Sequence, residues 1–365
     1  MNKKISLLAE AQDPIFIGTG GFTIGRVDNT IVRDPITRIP KIPGTSIAGV
    51  WRYYMALTLH SYFKEGYRLS REKRKEIPDE GLERLFNTEA GGWEENSHWL
   101  AGYRGNRYGA IRCAGQDEMP EMDPGAEPET DELKGWGHCG CCTICHAFGY
   151  SKNKVSRRGM VYFSDLNILL FPVYTRFGTK WVTSKRTLDM AGFAVDYNLA
   201  GDGEVGIHQN RIAPGNEFLN LGWLNFKTAD KSKEIKEICG QLQKRFTGFT
   251  TVKIQENDLV LVSDRIIQQI INSNLETRTS VAIDPLTGAA KEGALFTSEA
   301  IPRRTIFTSE IGIAGHPLKQ GPTAQQVDLA LAGSKRYFET LGIGGMTTRG
   351  FGRLKVFDWG EDHVN

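Results

Sequence analysis

Two neighbouring stretches decide the fold: IGRVDNTIVRDP at residues 24–35 and IPGTSIAG at residues 42–49. The first contains an extended run that breaks at Pro35, which has no N–H to donate to a strand ladder. The second predicts a helix start with Thr45 or Ser46 as the N-cap, because either hydroxyl can accept from a free backbone N–H. Apolar residues at 47, 50, 54 and 57 then form one face of that helix.

The rest of the chain alternates between strand and helix patterns. Apolar residues at 235, 238, 239, 242 and 246 recur with helical spacing and predict an amphipathic helix with Cys239 in the core. Residues 218–223 are predicted to belong to a long strand after a Pro-Gly turn at 214–215. A final helix stops at Gly342 and is followed by a glycine loop and a strand at 353–357. This order predicts an α+β fold with a mainly antiparallel sheet.

The composition is that of a chain which can bury a core, with 365 residues, 40 % of them hydrophobic and 24 % charged. Its 45 basic and 43 acidic residues give a formal net charge of +2, which argues against a polybasic tail protein but allows local basic patches. The apolar runs are far shorter than the ~18 residues that a membrane-spanning helix needs. The first residues contain no long apolar region and no cleavage site, so we expect a cytoplasmic protein with no membrane partner.

Four of the six cysteines fall within seven residues, between 139 and 145. Cysteines this close are poor disulfide partners, and in a reducing compartment they indicate a metal site. Cys139, Cys142 and Cys145 supply three thiolates, and Cys113 is the expected distant fourth ligand. The alternatives for the fourth ligand are His138, Cys141 and His146. A closed set of four ligands predicts a structural zinc ion.

The glycine-rich stretch at 342–353 is not a nucleotide-binding motif. A dinucleotide fingerprint needs a strand before the loop and a helix after it, whereas here the helix comes first. Glycines let a partner backbone approach closely, and the loop offers phosphate donors at Thr347, Thr348, Arg349 and Arg353. The alternative interpretation is a helix cap followed by a tight turn.

Three separated segments together resemble the RAMP superfamily, in particular the backbone subunits of type III CRISPR effector complexes. The first is the 24–35 loop with the 42–49 helix start, and the last is the glycine loop at 342–353. Between them lie CHAFG at 145–149 and MVYFSD at 160–165. The resemblance is anchored at both ends and in the middle, so it spans most of the chain.

This resemblance implies a single domain over residues 1–365, with a ferredoxin-like, RRM-related core and long insertions. One insertion is expected at about 64–138, where a basic helical segment and an acidic stretch precede a zinc knuckle at 139–145. A second is expected at about 170–215 as a thumb-like hairpin directed towards RNA.

The resemblance also implies a function. Subunits of this kind stack along a CRISPR RNA guide, hold it against a complementary target RNA and assemble with the other subunits of the complex. In members that cut, an aspartate in the first loop cleaves the target RNA, and its position corresponds to Asp28. Asp34 is the second candidate, although its place before Pro35 is typical of a turn residue.

The expected RNA contacts are spread over the chain. A helix start such as that at Thr45 and Ser46 is a natural phosphate site because its N–H groups are free. Family members commonly place lysines in the helix that follows, where this chain has Ala48 and Val50 and keeps Arg52. The full set of expected contacts is Thr45, Ser46, Arg52, Lys152, Arg157, Arg158, His208, Thr348 and Arg349.

The protein does not need to supply a nucleophile for the cleavage, because RNA carries its own in the 2′-hydroxyl. A carboxylate at Asp28 could act as base or bind a divalent cation, Mg²⁺ or Mn²⁺. One alternative is a non-catalytic RNA-binding scaffold in which Asp28 is idle. Another is a stand-alone enzyme that processes CRISPR RNA, for which no clustered histidine or tyrosine base is found in the sequence.

Overall fold

The structure is a computed structural model. It describes residues 3–20, 27–62, 111–115, 138, 142–152, 155–209, 217–246, 248–315, 322–357 and 360–362. Most of the insertion expected at about 64–138, together with Cys139 and Cys141 of the expected zinc knuckle, lies outside the described residues.

Helices and strands alternate along the described part of the chain, which confirms a mixed α and β architecture. The strands are β1 (Lys3–Ala11), β2 (Lys41–Ile42), β3 (Gly149–Lys152), β4 (Val155–Arg158), β5 (Val161–Phe163), β6 (Leu166–Thr175), β7 (Gly178–Ser184), β8 (Glu204–Ile207), β9 (Phe218–Leu221), β10 (Leu224–Asp230), β11 (Leu259–Val262), β12 (Glu276–Ile283), β13 (Ala290–Ala300), β14 (Ile306–Ile313), β15 (Leu354–Val356) and β16 (Gly360–Asp362). The helices are α1 (Gly44–Tyr62), α2 (Thr143–Phe148), α3 (Lys185–Met190), α4 (Ser232–Arg245), α5 (Phe249–Val252), α6 (Ile267–Ser273), α7 (Ala324–Ser334) and α8 (Arg336–Thr340). Among the helices that the structure describes, none has the length and apolar character needed to cross a membrane.

One large mixed sheet of twelve strands organises the molecule. Its order is β15-β1-β14-β6-β7-β11-β8-β10-β9. Three short strands also pair within it, β16 with β1, β2 with β6 and β5 with β14. Most pairs are antiparallel, and the parallel ones are β7 with β11 and β8 with β10. The longest pairing joins β1 to β14, from Lys3 opposite Ile313 to Glu10 opposite Ile306. The two strands lie side by side between β15 and β6.

Strand β1 is buried on both faces, because cores lie on each side of the sheet. Ile5 and Leu7 belong to the core that includes residues of α1 and α7. Leu8 belongs to a second core that includes residues of α4. Successive strand residues point to opposite faces, so both faces of this strand carry buried apolar side chains, with the polar Ser6 and Glu10 buried among them.

Trp51 fixes helix α1 against α7. Its indole N–H donates to the carbonyl oxygen of Leu331 at 3.2 Å and lies 2.9 Å from Oγ of Ser334. The ring of Phe338 meets it edge-on, with 5.0 Å between ring centroids. The indole is fully buried with its N–H satisfied, so it contributes apolar area without an unpaired polar group.

The range at about 170–215, where an insertion is expected, contributes strands to the large sheet. Its described residues include most of β6 and all of β7, which lie in the large sheet because residues such as Phe171 and Val182 are apolar and fully buried. Outside the large sheet, β12 pairs with β13 and β3 pairs with β4 as two separate hairpins. The long strand expected through 218–223 is divided by a turn at Gly222, whose φ of +62° favours glycine.

The glycine loop packs against the segment that follows β1. The Gly345 N–H donates to the carbonyl oxygen of Phe16 at 2.9 Å, and the Gly352 N–H donates to that of Pro14 at 2.9 Å. This close backbone contact depends on Gly344, whose φ is +85°; a Cβ at that position would overlap the Phe16 carbonyl oxygen. The loop therefore has a fixed shape that only glycine permits at Gly344.

We expect Gly344→Ala to lower the free energy of unfolding by about 2 kcal/mol or more, because it combines a left-handed backbone with a steric overlap. Gly240→Ala is the matched control, since a Cβ there, within α4, meets no atom within 4 Å. The control should raise stability by about 0.5–1 kcal/mol. Urea unfolding of the full chain measures both, and equal stability of the two variants would contradict the packing described.

Candidate functional site

The loop that contains Asp28 lies along strand β13, 269 positions away in the sequence. Asn29 and Ser298 form a parallel bridge between the loop and the strand. The Asn29 N–H donates to the Thr297 carbonyl oxygen at 3.0 Å, and the Glu299 N–H donates to the Asn29 carbonyl oxygen at 3.0 Å. The Asn29 side chain also donates to Oγ of Ser298 at 3.2 Å. The loop is thus held as an added short strand beside the β12–β13 hairpin.

Asp28 exposes its carboxylate while hydrogen bonds hold one of its oxygens. Oδ2 accepts from the Thr297 backbone N–H at 2.7 Å and from the Thr297 hydroxyl at 3.1 Å. These bonds, the backbone one first, hold the pKa of Asp28 below its ordinary value of 3.8. The carboxylate is therefore ionised at neutral pH and open to solvent.

Asp34, the second candidate, closes a turn. Its Oδ1 accepts from the N–H groups of Thr37 at 2.9 Å and Ile36 at 3.0 Å, and its Oδ2 lies 3.2 Å from Nζ of Lys41. The Thr37 N–H is the largest of the contributions that lower the pKa of Asp34 to about 2. Its carboxylate is used within the turn, which agrees with its place before Pro35.

The amino end of α1 is capped by Asp165, the last residue of the MVYFSD segment. Its Oδ1 accepts from the Gly44 N–H at 2.8 Å, and its Oδ2 lies 2.7 Å from Nζ of Lys41. A carboxylate therefore already occupies part of the positive end of the helix, where a phosphate was expected. Thr45, which is exposed, and Ser46, which is half-buried, follow this cap directly.

The glycine loop exposes Thr348 and Arg349 next to the β12–β13 hairpin. Arg278 of β12 donates to the carbonyl oxygen of Gly350 at 3.3 Å, and its guanidinium carbon lies 4.7 Å from the ring centroid of Phe351. The hairpin therefore contacts both the Asp28 loop and the glycine loop. These predicted site residues are brought onto neighbouring segments of one surface.

Arg353, the other arginine of the glycine loop, pairs with Asp13. Its Nε donates to one carboxylate oxygen at 2.5 Å and its Nη2 donates to the other at 2.9 Å. This two-bond geometry is the strong form of an arginine–carboxylate pair, and it lowers the pKa of Asp13. Arg353 thus ties the loop to the segment after β1, whereas Arg349 stays exposed.

Cys113, Cys142 and Cys145 come together, as their expected role as metal ligands requires. Their sulfur atoms lie within 4.8 Å of one another, and all three residues are buried. Cys113 comes from a short 3₁₀ turn, whereas Cys142 precedes α2 and Cys145 lies within it. Buried thiols at this separation are soft ligands of the kind that zinc prefers. Cys139, the remaining member of the expected set, lies outside the described residues.

Arg52 contacts the protein beside these cysteines. Its Nε donates to the carbonyl oxygen of Cys113 at 2.7 Å, and its Nη2 lies 2.8 Å from Nδ1 of His138. This differs from the expected contact with a guide phosphate, because α1 turns this side chain towards the cysteine cluster. The alternative ligands His138 and His146 are buried, but they are not part of the group of closely spaced ligand atoms that the described residues form.

The other expected RNA contacts lie in two further parts of the fold. Arg157 and Arg158 belong to β4, half-buried and exposed respectively, and Lys152 belongs to the paired strand β3. His208 follows β8 and is only 8 % exposed, with Nε2 3.3 Å from Oε2 of Glu256. His208 and Glu256 line the same cavity, and the contact of His208 with RNA stays a prediction.

The geometry therefore places an ionised carboxylate and two exposed phosphate donors around one hairpin. Such a surface can hold a phosphodiester backbone and accept a proton beside it. Thr297 holds the carboxylate of Asp28 and Asp165 caps α1, and no sequence pattern indicates either contact. These contacts join residues that are 269 and 121 positions apart, so they cannot be predicted from local residue spacing.

Comparisons with known proteins find relatives over most of the chain. The family model described as the RAMP superfamily matches residues 8–355. The CRISPR system Cmr endoribonuclease Cmr4 of Pyrococcus furiosus is 26 % identical over 212 residues, a match that covers 54 % of this chain and 68 % of Cmr4.

Solved structures share the fold. The crystal structure of oligomeric Cmr4 from Pyrococcus furiosus has a TM-score of 0.54 at 16 % identity, and the match covers 99 % of both chains. A chain in the cryo-EM structure of type III-B Cmr-beta in the apo state has a TM-score of 0.52 at 12 % identity, covering 99 % of this chain and 98 % of that one. At these identities the likeness is one of fold.

The pKa of Asp34 predicts a pH-dependent stability. Because that pKa is about 2 in the folded chain and 3.8 ordinarily, the carboxylate stabilises the fold above pH 4 and loses this effect as the pH falls towards 2. We expect Asp34→Asn to cost about 1–2 kcal/mol at pH 7 and progressively less below pH 4. Urea unfolding across this pH range measures the difference, and a cost that is the same at every pH would contradict the assignment.

Proposed function

This chain belongs to the RAMP superfamily, and from that premise we propose that it is an RNA-binding backbone subunit of a type III CRISPR effector complex that cleaves target RNA. The family match over residues 8–355 and the similarity to the endoribonuclease Cmr4 support this proposal. Its proposed partners are a CRISPR RNA guide, a target RNA and the other subunits of the complex, and its proposed location is the cytoplasm.

We also propose that the core is ferredoxin-like. Strands β15, β1, β14 and β6 are antiparallel neighbours in that order, which is the order of the four strands in a β-α-β-β-α-β unit. Helices α1 and α7 supply the two crossovers, and Trp51 packs them together. The remaining strands and the β12–β13 hairpin are then insertions into this unit.

The proposed contacts with the RNA backbone are exposed or half-buried groups at the start of α1, Thr45 and Ser46, and in the glycine loop, Thr348 and Arg349. Phosphates carry no base identity, so contacts of this kind accept a guide of any sequence. Lys152, Arg157 and Arg158 on the β3–β4 hairpin add positive charge, so binding should weaken as the salt concentration rises. His208, whose ring nitrogens have no hydrogen-bond partner among the described residues, is kept as a proposed contact, whereas Arg52 is not included because its guanidinium bonds to the Cys113 carbonyl oxygen.

The exposed, ionised carboxylate of Asp28 is the single observation that carries the cleavage proposal. RNA holds a 2′-hydroxyl beside each phosphate, so the protein needs to orient that group and remove its proton. Asp28 accepts the proton from O2′ as O2′ bonds to phosphorus, the P–O5′ bond breaks, and O5′ takes a proton from water. The products are a 2′,3′-cyclic phosphate and a 5′-hydroxyl end.

A divalent cation, Mg²⁺ or Mn²⁺, would neutralise charge on the phosphate during this step. In the part of the chain that the structure describes, however, no group of three or more oxygen ligands converges around Asp28. The described residues therefore do not form a cation site by themselves, and proton transfer is assigned to Asp28 alone.

Asp28→Asn keeps the shape of the side chain but removes its basic oxygen. In the complex reconstituted on guide RNA, we expect cleavage of a matched target to fall by about 10²-fold or more, while target binding is kept. Single-turnover cleavage and a binding titration on the same preparations separate the two quantities.

Asp34→Asn is the matched control from the same loop, and it should cleave at nearly the wild-type rate. A target with 2′-deoxyribose at the cut nucleotide should bind and resist cleavage. If the wild-type complex supplied with Mg²⁺ or Mn²⁺ does not cut a matched target, the protein is the non-catalytic scaffold. If Asp28→Asn cuts at the wild-type rate, the assignment of the base is wrong.

We further propose that the cysteine cluster binds a structural zinc ion, with Cys139 completing the four ligands. Cys113, Cys142 and Cys145 are buried and converge, as a closed zinc site requires. Bound zinc would join the 3₁₀ turn at Cys113 to helix α2, and so would supply folding free energy.

The double variant Cys142→Ser/Cys145→Ser should lose the metal and become sensitive to proteases, since structural zinc contributes to folding. We expect about one zinc ion per chain in the wild type and in Cys239→Ala, a control whose thiol lies in the other core. Elemental analysis and limited proteolysis measure both properties. A wild-type chain that is fully stable after chelation would rule out the structural role.

A further inference from the structure

We propose that Thr297 is a positioning residue for cleavage, which fixes the orientation of the Asp28 carboxylate so that Oδ1 receives the proton of the 2′-hydroxyl. This inference rests on the proposed function, since it assigns a role in the reaction at Asp28. The two residues are 269 positions apart and meet only through the fold.

The contacts between the two residues define one carboxylate orientation. The Thr297 N–H and hydroxyl both donate to Oδ2 of Asp28, at 2.7 Å and 3.1 Å. The Thr297 Oγ1 also accepts from the Asp28 N–H at 3.3 Å. The hydroxyl therefore bridges the backbone and the carboxylate of the same residue, which restricts rotation of the side chain. Because both bonds to the carboxylate end on Oδ2, Oδ1 is the oxygen assigned to the substrate.

The position of the loop itself does not depend on this hydroxyl. Backbone bonds of 3.0 Å join Asn29 to Thr297 and to Glu299, and the Asn29 side chain reaches Ser298. Further along the loop, Arg33 forms an ion pair with Glu299, with 2.8 Å between Nη2 and Oε2. Removal of the hydroxyl should therefore leave the loop docked on β13 and change only how the carboxylate is held.

Two substitutions at Thr297 separate orientation from structure. Thr297→Val keeps the β-branched shape and the backbone N–H but removes the hydroxyl, whereas Thr297→Ser keeps the hydroxyl. Thr279→Val is the matched control, because Thr279 is exposed and lies opposite Thr297 on β12. Each variant is assembled with guide RNA and the other subunits, and single-turnover cleavage is measured with the complex in saturating excess over target.

We expect Thr297→Val to slow single-turnover cleavage by about 10- to 100-fold, the effect typical of a misoriented reacting group, with an unchanged Kd for target RNA. Thr297→Ser and Thr279→Val should cleave within about threefold of the wild type, as variants that retain the orienting hydroxyl.

The outcomes distinguish the inference from the function on which it rests. A wild-type complex that does not cleave, or that cleaves equally well with Asp28→Asn, overturns the proposed function and with it the role of Thr297. A complex that needs Asp28 but cleaves at the wild-type rate with Thr297→Val overturns only the positioning role. Loss of target binding or assembly in Thr297→Val that matches the loss of rate, or a failure of Thr297→Ser to restore the rate, assigns Thr297 a structural role instead.

Discussion

The pairing of β1 with β14 is the constraint on which the rest of the structure depends. It joins residues 3–10 to residues 306–313, while β15 pairs with the end of the same strand. Since β1 is buried on both faces, a shift of one residue would move its side chains into the opposite cores. Strand β14 follows the β12–β13 hairpin closely, so this pairing also brings the hairpin to the loop that follows β1. A bridge between Ile15 of that loop and Ile301, directly after β13, joins the two.

Features that depend on local spacing could be predicted from the sequence. The apolar period around Cys239 matches α4, in which that thiol is buried. Helix α1 lies where it was expected but begins at Gly44, so Thr45 and Ser46 belong to its first turn and neither is the N-cap. The approach of Cys113 to Cys142 could also be inferred, because a chain with few cysteines offers few candidates for a thiolate site. In each case the residue type itself limits the partners that it can have.

The partners of the polar site residues could not be predicted in this way. Any of many hydroxyl and N–H groups can hold a carboxylate, so nothing in the sequence selects Thr297 for Asp28 or Asp165 for the start of α1. Arg52 is an ordinary polar residue in the sequence, and only the packing around it shows that its guanidinium bonds to the Cys113 carbonyl oxygen. The apolar run of β6 likewise suits an insertion as well as the central strand that it forms.

The separation of β1 from β14 along the chain also has a consequence for biosynthesis. At about 5–20 residues per second, a ribosome needs on the order of 15–60 s to reach β14 after it has made β1. Contacts of such long range form slowly, and until then an apolar strand leaves its N–H and C=O groups unpaired. Strand β1 therefore waits for its partner strand until the final quarter of the polypeptide is being made.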